Sequence, residues 1–236
     1  MDNKNQILFE LLSENTESLQ MKEEKYFYNG VAVPRVTEVI SKMISEEYLL
    51  YWANALGFKH QGYKKTVDAA ANIGSEAHDL ISRFLNGETF TTNNIPYLGF
   101  RKWWMDISAN NTVEVIGSEV PLSCPYFGGT YDLLVKINGL LYLVDFKTSN
   151  HVNYKYYLQL SAYKYMLELQ GYTISGCIIL QLNKKEIAYT EYPLIFSNPD
   201  HVEFINRCFN TFLSLLYGYY NISQCERMYN NIFQRR

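Results

Sequence analysis

The stretch from residue 128 to residue 147 constrains the fold more than any other part of the chain. It consists of two mostly apolar runs separated by Asn138-Gly139. This pair is preferred in two-residue type I′ turns, because both positions need a positive φ. With this turn, Ile137 opposes Leu140, and the rest of the hairpin pairs residue by residue from there. Both faces carry apolar side chains, which is typical of strands in the interior of a sheet.

Two acids and a lysine fall on one face of this predicted hairpin. The same pairing places Asp132 directly opposite Asp145, where like charges repel each other. A divalent cation between them would remove the repulsion, since hard cations bind carboxylate oxygens. Lys147 comes two residues after Asp145 and therefore points to the same side. The pattern predicts a site for Mg²⁺ or Mn²⁺ that cleaves phosphodiester bonds, with the Phe146 carbonyl as a further metal ligand.

Composition sets the broad class of the protein. The 236 residues suit one domain, and 47% are hydrophobic, enough for a large core. A net charge of −3 gives no global attraction for nucleic acid, so binding would need a local basic groove. The four scattered cysteines predict neither an iron–sulfur cluster nor a zinc site. The polar N-terminus and the lack of a long apolar run predict a soluble, cytoplasmic protein with no membrane partner.

Hydrophobic periodicity predicts a helical first part followed by a sheet with helices around it. Helices are predicted over 5–13, 46–56, 64–86, 97–109, 153–169 and 199–217, and one from an N-cap at Thr37 to Met43; strands are predicted over 112–123, 127–137, 140–147, 174–182 and 186–193; and a small hairpin is predicted at Asn29-Gly30. The fold class is α/β or α+β, with a mixed central sheet. We expect one domain over 1–236, with a mostly helical part to about 110, a sheet core over 111–195 and C-terminal helices over 198–236.

Four motifs resemble those of one enzyme family. They are Asp132 with Asp145-Phe146-Lys147-Thr148 thirteen positions later, Gln159 with Tyr163, Gly74 with His78, and Val33–Thr37 followed by Leu50–Trp52 and Gly57. Together they resemble the PD-(D/E)XK nuclease superfamily and, within it, the RecB-like exonucleases of phage and mitochondrial type. The resemblance covers roughly residues 26–170 in the family's order. It implies a restriction-endonuclease-like core with a helical N-terminal elaboration.

The resemblance also implies roles for single residues. His78 would be a metal ligand, and Glu119 would bind a second cation or orient a water near the metal. Gln159 and Tyr163, one helical turn apart, would contact a phosphate or the attacking water. The residues themselves leave plainer alternatives open: a half-buried core histidine at 78, a charged strand end at 119, and an ordinary amphipathic helix around 159 and 163.

Other polar residues are candidates for binding DNA. Arg35 and Thr37 lie in the segment similar to the exonuclease N-terminal motif, and Lys155 and Lys164 flank the Gln159 motif. The leading hypothesis is a metal-dependent exonuclease that acts on DNA ends or single strands, with phage or host recombination, repair or replication proteins as partners. The alternatives are a structure-specific or restriction-like endonuclease on the same core, and an inactive DNA-binding module.

Overall fold

A computed structural model describes residues 26–44 and 63–234. In chain order the elements are β1 (Tyr26–Tyr28), β2 (Val31–Val33), α1 (Val36–Met43), α2 (Tyr63–Leu85), α3 (Ile95–Asn110), β3 (Val113–Ser123), β4 (Gly128–Ile137), β5 (Leu140–Lys147), α4 (Tyr154–Leu169), β6 (Gly176–Leu182), β7 (Tyr189–Ile195) and α5 (Pro199–Phe233). The helices predicted over 5–13 and 46–56, and the motif residues Leu50–Trp52 and Gly57, lie outside the described residues.

The centre of the fold is a five-stranded mixed sheet in the order β3-β4-β5-β6-β7. Neighbouring strands are antiparallel except β5 and β6, which are parallel. A parallel pair needs a crossover connection, and α4 supplies it. The predicted fold class is confirmed: the architecture is mixed α/β, with helices flanking the sheet, and is consistent with a restriction-endonuclease-like core.

The central hairpin is buried on both faces, as its sequence predicted. On one face Leu134 and Leu143 pack in a cluster with residues of α1, α4 and α5. On the other face Leu133, Val144 and Phe146 pack with residues of α2 and α3. Alternate residues of a strand point to opposite faces, so a strand with helices on both sides must be apolar on both.

The predicted turn and register of this hairpin are confirmed. Asn138 and Gly139 have φ values of 50° and 81°. Ile137 pairs with Leu140, and the pairing continues in step as far as Leu133 with Val144. The small N-terminal hairpin also forms as predicted, with positive φ at its Asn-Gly turn.

Two predicted element boundaries are wrong for identifiable reasons. The last strand begins at Tyr189, not 186, because the Asn183 side chain accepts hydrogen bonds from the backbone N–H groups of Lys185 and Glu186. Those groups hold the connection in a turn and are not free to extend a strand. The closing helix ends at Phe233, not 217, and two tyrosine hydroxyls hold it beyond that point: Tyr219 donates to Glu38, and Tyr220 donates to the Tyr126 carbonyl.

The start of α1 also differs from the prediction. Arg35, in an extended conformation, is the N-cap residue, and its side chain makes no capping hydrogen bond. Thr37 is therefore the second residue inside the helix, and it is exposed. Across the described ranges, we find no helix with both the length and the hydropathy that crossing a bilayer requires.

Candidate metal and catalytic site

Three potential metal ligands from three separate elements converge at one place. His78 comes from α2, Glu119 from β3 and Asp132 from β4. Nδ1 of His78 lies 3.2 Å from Oε1 of Glu119 and 3.5 Å from Oδ1 of Asp132. One ligand atom of each residue lies within 4.8 Å of the other two. We call these three residues the acidic cluster.

Glu119 reaches the cluster through an unusual backbone conformation. Its φ is +52°, a left-handed value within a strand, which costs a non-glycine residue on the order of 1–3 kcal/mol. The residues on either side of it pair with Leu133 and Tyr131, so Glu119 lies opposite Asp132. An extra residue, Ile116, also shifts the register earlier in the same strand. Such strain is kept where the surrounding structure holds it in place, and it clusters at functional sites.

Asp132 and Asp145 are linked through the backbone of the residue beside Asp145. The backbone pairing of the hairpin ends at Leu133 with Val144, so the two acids are not a pair in the ladder as the sequence suggested. Instead, Oδ2 of Asp132 accepts a hydrogen bond of 2.6 Å from the backbone N–H of Phe146. This bond takes the place of the next ladder contact and fixes the Asp132 carboxylate beside the end of β5. It involves the Phe146 amide, and the metal-ligand role predicted for the Phe146 carbonyl stays a prediction.

Asp145 forms a buried ion pair with Lys147. Nζ of Lys147 lies 2.6 Å from Oδ2 of Asp145, and the carboxylate is almost fully buried. Neither carboxylate oxygen receives a well-oriented hydrogen bond from the described part of the chain. Burial raises the pKa of Asp145, the Lys147 charge opposes this rise, and the Asp132 charge adds to it. Buried carboxylate oxygens without well-oriented donors are costly, and the Lys147 ammonium offsets part of that cost.

A chain of polar contacts continues from Lys147 into α4. Nζ of Lys147 donates to Oε1 of Gln159 at 3.3 Å, and Nε2 of Gln159 donates to the Tyr163 hydroxyl at 3.3 Å. The ammonium also lies 4.9 Å from the centre of the Tyr156 ring. Gln159 and Tyr163 therefore do not only belong to the amphipathic face of α4. The Gln159 side chain contacts the lysine directly, and Tyr163 holds Gln159.

Asp132 and Glu119 favour the protonated form of His78. Burial lowers the pKa of His78, but the charges and hydrogen bonds of Asp132 and Glu119 outweigh it and raise the pKa to about 10. Burial alone would raise the pKa of Asp132, but the charge of His78 outweighs this effect, and the pKa of Asp132 is lowered. The imidazolium thus supplies the positive charge that two adjacent carboxylates require.

Gly74 allows α2 to approach the end of β5 closely. A Cβ atom on this residue would lie 3.0 Å from Oγ1 of Thr148, the residue after Lys147. The missing side chain lets α2 lie against the end of β5 and so brings His78, one turn later, to the cluster.

The residues predicted to bind DNA lie in different surroundings. Arg35 precedes α1 with its guanidinium 5.8 Å from the centre of the Tyr26 ring, and the exposed Thr37 follows it. Lys155 lies in the first turn of α4. Lys164 pairs with Glu168 at 2.6 Å and lies over the Phe196 ring. These contacts do not involve the acidic cluster, and the DNA contacts of the four residues stay a prediction.

The structure adds residues that the sequence reasoning missed. A groove of about 490 Å³ opens onto the cluster, and its lining includes Ser75, Asp79 and Ser82 beside His78 and Glu119. Ser75 and Ser82 lie three residues before and four residues after His78, so helical spacing could have found these two. Tyr156 likewise lies three residues before Gln159, on the same face of α4.

Comparisons with known proteins give only distant similarities. No protein-family model matches the sequence, and a search of curated proteins finds no match. Among solved structures, the crystal structure of SSO0001 has a TM-score of 0.37 and 14% identity, over 91% of this chain and 87% of that chain. An alkaline exonuclease (LHK-Exo) from Laribacter hongkongensis has a TM-score of 0.34 and 13% identity, over 66% of this chain and 84% of that chain. At these TM-scores neither similarity carries an argument about this protein.

Proposed function

We propose that this protein is a divalent-metal-dependent deoxyribonuclease, and that it works as an exonuclease on DNA ends or single strands. The observation that supports the proposal most is the pairing of two features at one end of the sheet. One is the acidic cluster of His78, Glu119 and Asp132. The other is the buried Asp145 carboxylate, which lies 2.6 Å from the Lys147 ammonium and receives no well-oriented hydrogen bond from the described residues.

The chemistry of these donors fits a metal ion. Carboxylate oxygens suit Mg²⁺ and Mn²⁺, and an imidazole nitrogen suits transition metals, so a mixed set favours Mn²⁺ over Mg²⁺. His78, Asp132 and Asp145 would hold the ion, with Glu119 as a further ligand. When bound, the ion would lower the pKa of a bound water and offset charge on the scissile phosphate.

The residues of the chain would do the rest of the work around the phosphodiester. Lys147 carries a positive charge fixed by Asp145 and Gln159, so it can stabilise the negative charge that grows on the phosphate during attack. Gln159 and Tyr163 would hold that lysine and contribute hydrogen bonds to the phosphate. The groove along α2 gives the cluster an opening to solvent through which a strand could enter.

The test is digestion of end-labelled linear DNA and covalently closed circles with Mn²⁺ or Mg²⁺. We expect Mn²⁺-dependent loss of the linear substrate, and about 100-fold or greater loss of kcat in Lys147→Ala and Asp145→Asn. Lys136→Ala is the matched control, because this lysine on β4 is partly exposed and pairs only with Glu114 at 3.3 Å among the described residues. Activity that survives in both site variants would overturn the proposal.

The same assay separates the alternatives. Cleavage of closed circles would replace the exonuclease with an endonuclease on the same core. DNA binding without cleavage under any metal would leave a DNA-binding module. A place in recombination, repair or replication of phage-type DNA is part of our proposal only if linear ends are digested.

A further inference from the structure

A second, polar pocket lies beside the candidate site, at the carboxyl ends of β5 and β6. These are the two parallel neighbours in the described sheet, and Lys147 pairs with Gln181 at their ends. The pocket encloses about 200 Å³. Its lining includes Thr148, Ser149 and Asn150 after β5, Asn183 and Lys184 after β6, and Thr190 on β7. In open α/β sheets, ligands bind outside the carboxyl ends of parallel strands.

Hydrogen bonds within the wall fix the shape of the pocket. Nε2 of Gln181 donates to the Ser149 carbonyl at 2.7 Å, and the Tyr192 hydroxyl donates to Oε1 of Gln181 at 3.2 Å. The side-chain oxygen of Asn183 accepts hydrogen bonds from two backbone N–H groups of the β6–β7 turn. The pocket is therefore formed in advance and needs little ordering when a ligand enters, which favours binding.

Lys184 is the charged group of this pocket, and it has no acidic partner in the described part of the chain. The lysines at 102, 136, 147 and 164 each lie within ion-pair distance of a carboxylate. Lys184 is partly buried, and burial lowers its pKa without an opposing charge. A partly desolvated cation without a counter-ion favours an anionic ligand. The uncharged hydroxyl and amide groups around it suit the sugar and base of a nucleotide.

The position of the pocket links it to the candidate site. Thr148 belongs to the pocket and directly follows Lys147, and the same residue contacts Gly74 of α2. Lys184 comes three residues after Gln181, the partner of Lys147 in the sheet. Both lysines therefore lie at the same edge of the sheet, Lys147 at the end of β5 and Lys184 in the turn that follows β6. Neighbouring phosphates of a single strand could contact both.

We propose that this pocket binds the nucleotide next to the one whose phosphodiester is attacked, with Lys184 on its phosphate. The inference rests on the proposed nuclease function and adds a substrate subsite to it. It makes the substrate a strand of at least two phosphates, because a single phosphodiester at the candidate site leaves Lys184 without a ligand. Lys184 would thus contribute to substrate binding and leave the chemical step unaffected.

Steady-state cleavage of a single-stranded oligonucleotide with Mn²⁺ tests the inference. We expect Lys184→Ala to raise KM about tenfold with kcat within about twofold, the effect of losing one charged hydrogen bond. The slope of log(kcat/KM) against log[NaCl] should become shallower by about 0.7, the value for one single-strand phosphate contact. Lys184→Arg should restore most of the KM. On a dinucleotide with a single phosphodiester, Lys184→Ala and wild type should not differ.

Lys185→Ala is the matched control, because the neighbouring lysine is exposed and does not line the pocket. The same variants are compared in binding of a fluorescein-labelled oligonucleotide with Ca²⁺ in place of Mn²⁺. A wild type that cleaves DNA, with Lys184→Ala matching Lys185→Ala in KM, salt slope and binding, would overturn the subsite alone. A wild type that cleaves no DNA would overturn the nuclease function, and equal binding by the two variants would then refute the subsite as well.

Discussion

Replacing Gly74 with alanine should stabilise the protein and impair the candidate site at the same time. Gly74 lies inside α2, where glycine is less favourable than alanine by about 1 kcal/mol. The added Cβ would lie 3.0 Å from Oγ1 of Thr148, and outside its own helix it would meet no other atom of the described residues within 4 Å. Contact with a single hydroxyl at the edge of the core costs less than the helix gains. We therefore expect the free energy of unfolding to rise by roughly 0.5–1 kcal/mol.

The loss of function follows from how tightly the cluster is held. Relieving the contact moves α2 away from β5 by a few tenths of an ångström. His78 is one turn away, and its distances of 3.2 Å to Glu119 and 3.5 Å to Asp132 are already near the limit of a hydrogen bond. A misplacement of 1 Å costs on the order of 100-fold in rate. A shift of half that size should therefore cost about tenfold in kcat and weaken Mn²⁺ binding.

Urea unfolding measures the stability of Gly74→Ala, calorimetry measures its Mn²⁺ affinity, and DNA digestion measures its kcat. Rescue variants at the contact atom make the test specific. Gly74→Ala with Thr148→Ala removes the clashing atom and should recover Mn²⁺ affinity relative to Thr148→Ala alone. Gly74→Ala with Thr148→Val keeps a branch of the same size and should not recover it. Full Mn²⁺ affinity and kcat in Gly74→Ala would refute the reasoning, because the contact would then not position α2.

Two further predictions concern residues that hold the site and the fold. Glu119→Gly should be more stable than Glu119→Ala by about 1 kcal/mol in urea unfolding, since glycine accepts the φ of +52° without strain. Both variants should lose Mn²⁺ affinity. Equal stabilities of the two variants would contradict the assignment of strain to this residue. Glu38 is expected to make stability depend on pH in the acid range: burial raises its pKa, but hydrogen bonds from Lys42 and the Tyr219 hydroxyl outweigh this and lower it from its ordinary value of 4.5. Its contribution is therefore fully present above pH 4.5 and is lost as the pH falls through the lowered pKa, so wild type should exceed Glu38→Gln in urea unfolding at neutral pH and converge with it in acid. A gap between these two proteins that does not change with pH would contradict this assignment.

Local sequence patterns were enough to predict the turn, the register and the burial of the central hairpin. Asn138-Gly139 fixed the turn, and because side chains alternate with a period of two, that turn also fixed the register as far as Leu133 and Val144. The apolar pattern on both faces showed that the strands are interior. The pattern failed near the site itself, since a hydrogen bond from the Phe146 amide to the Asp132 side chain replaces the next step of the ladder.

The boundaries that the sequence missed depend on distant contacts. Residues 218–233 continue the last helix, and hydroxyl contacts from Tyr219 to Glu38 and from Tyr220 to the loop before β4 hold its middle against the core. These partners are 181 and 94 residues away in the chain, so local propensity carries no sign of them.

The sequence by itself determined which side chains could carry chemistry, because residue type and strand period are local properties. Only the tertiary structure decided how they meet. The left-handed backbone of Glu119, the absent side chain at Gly74 and the packing of α2 on β5 place an imidazole and two carboxylates from three elements within 4.8 Å. The partly buried Lys184, with no acidic partner in the described ranges, likewise emerges only when β5 and β6 align. Distances between groups far apart in the chain depend on the packing of whole elements, which no local pattern encodes.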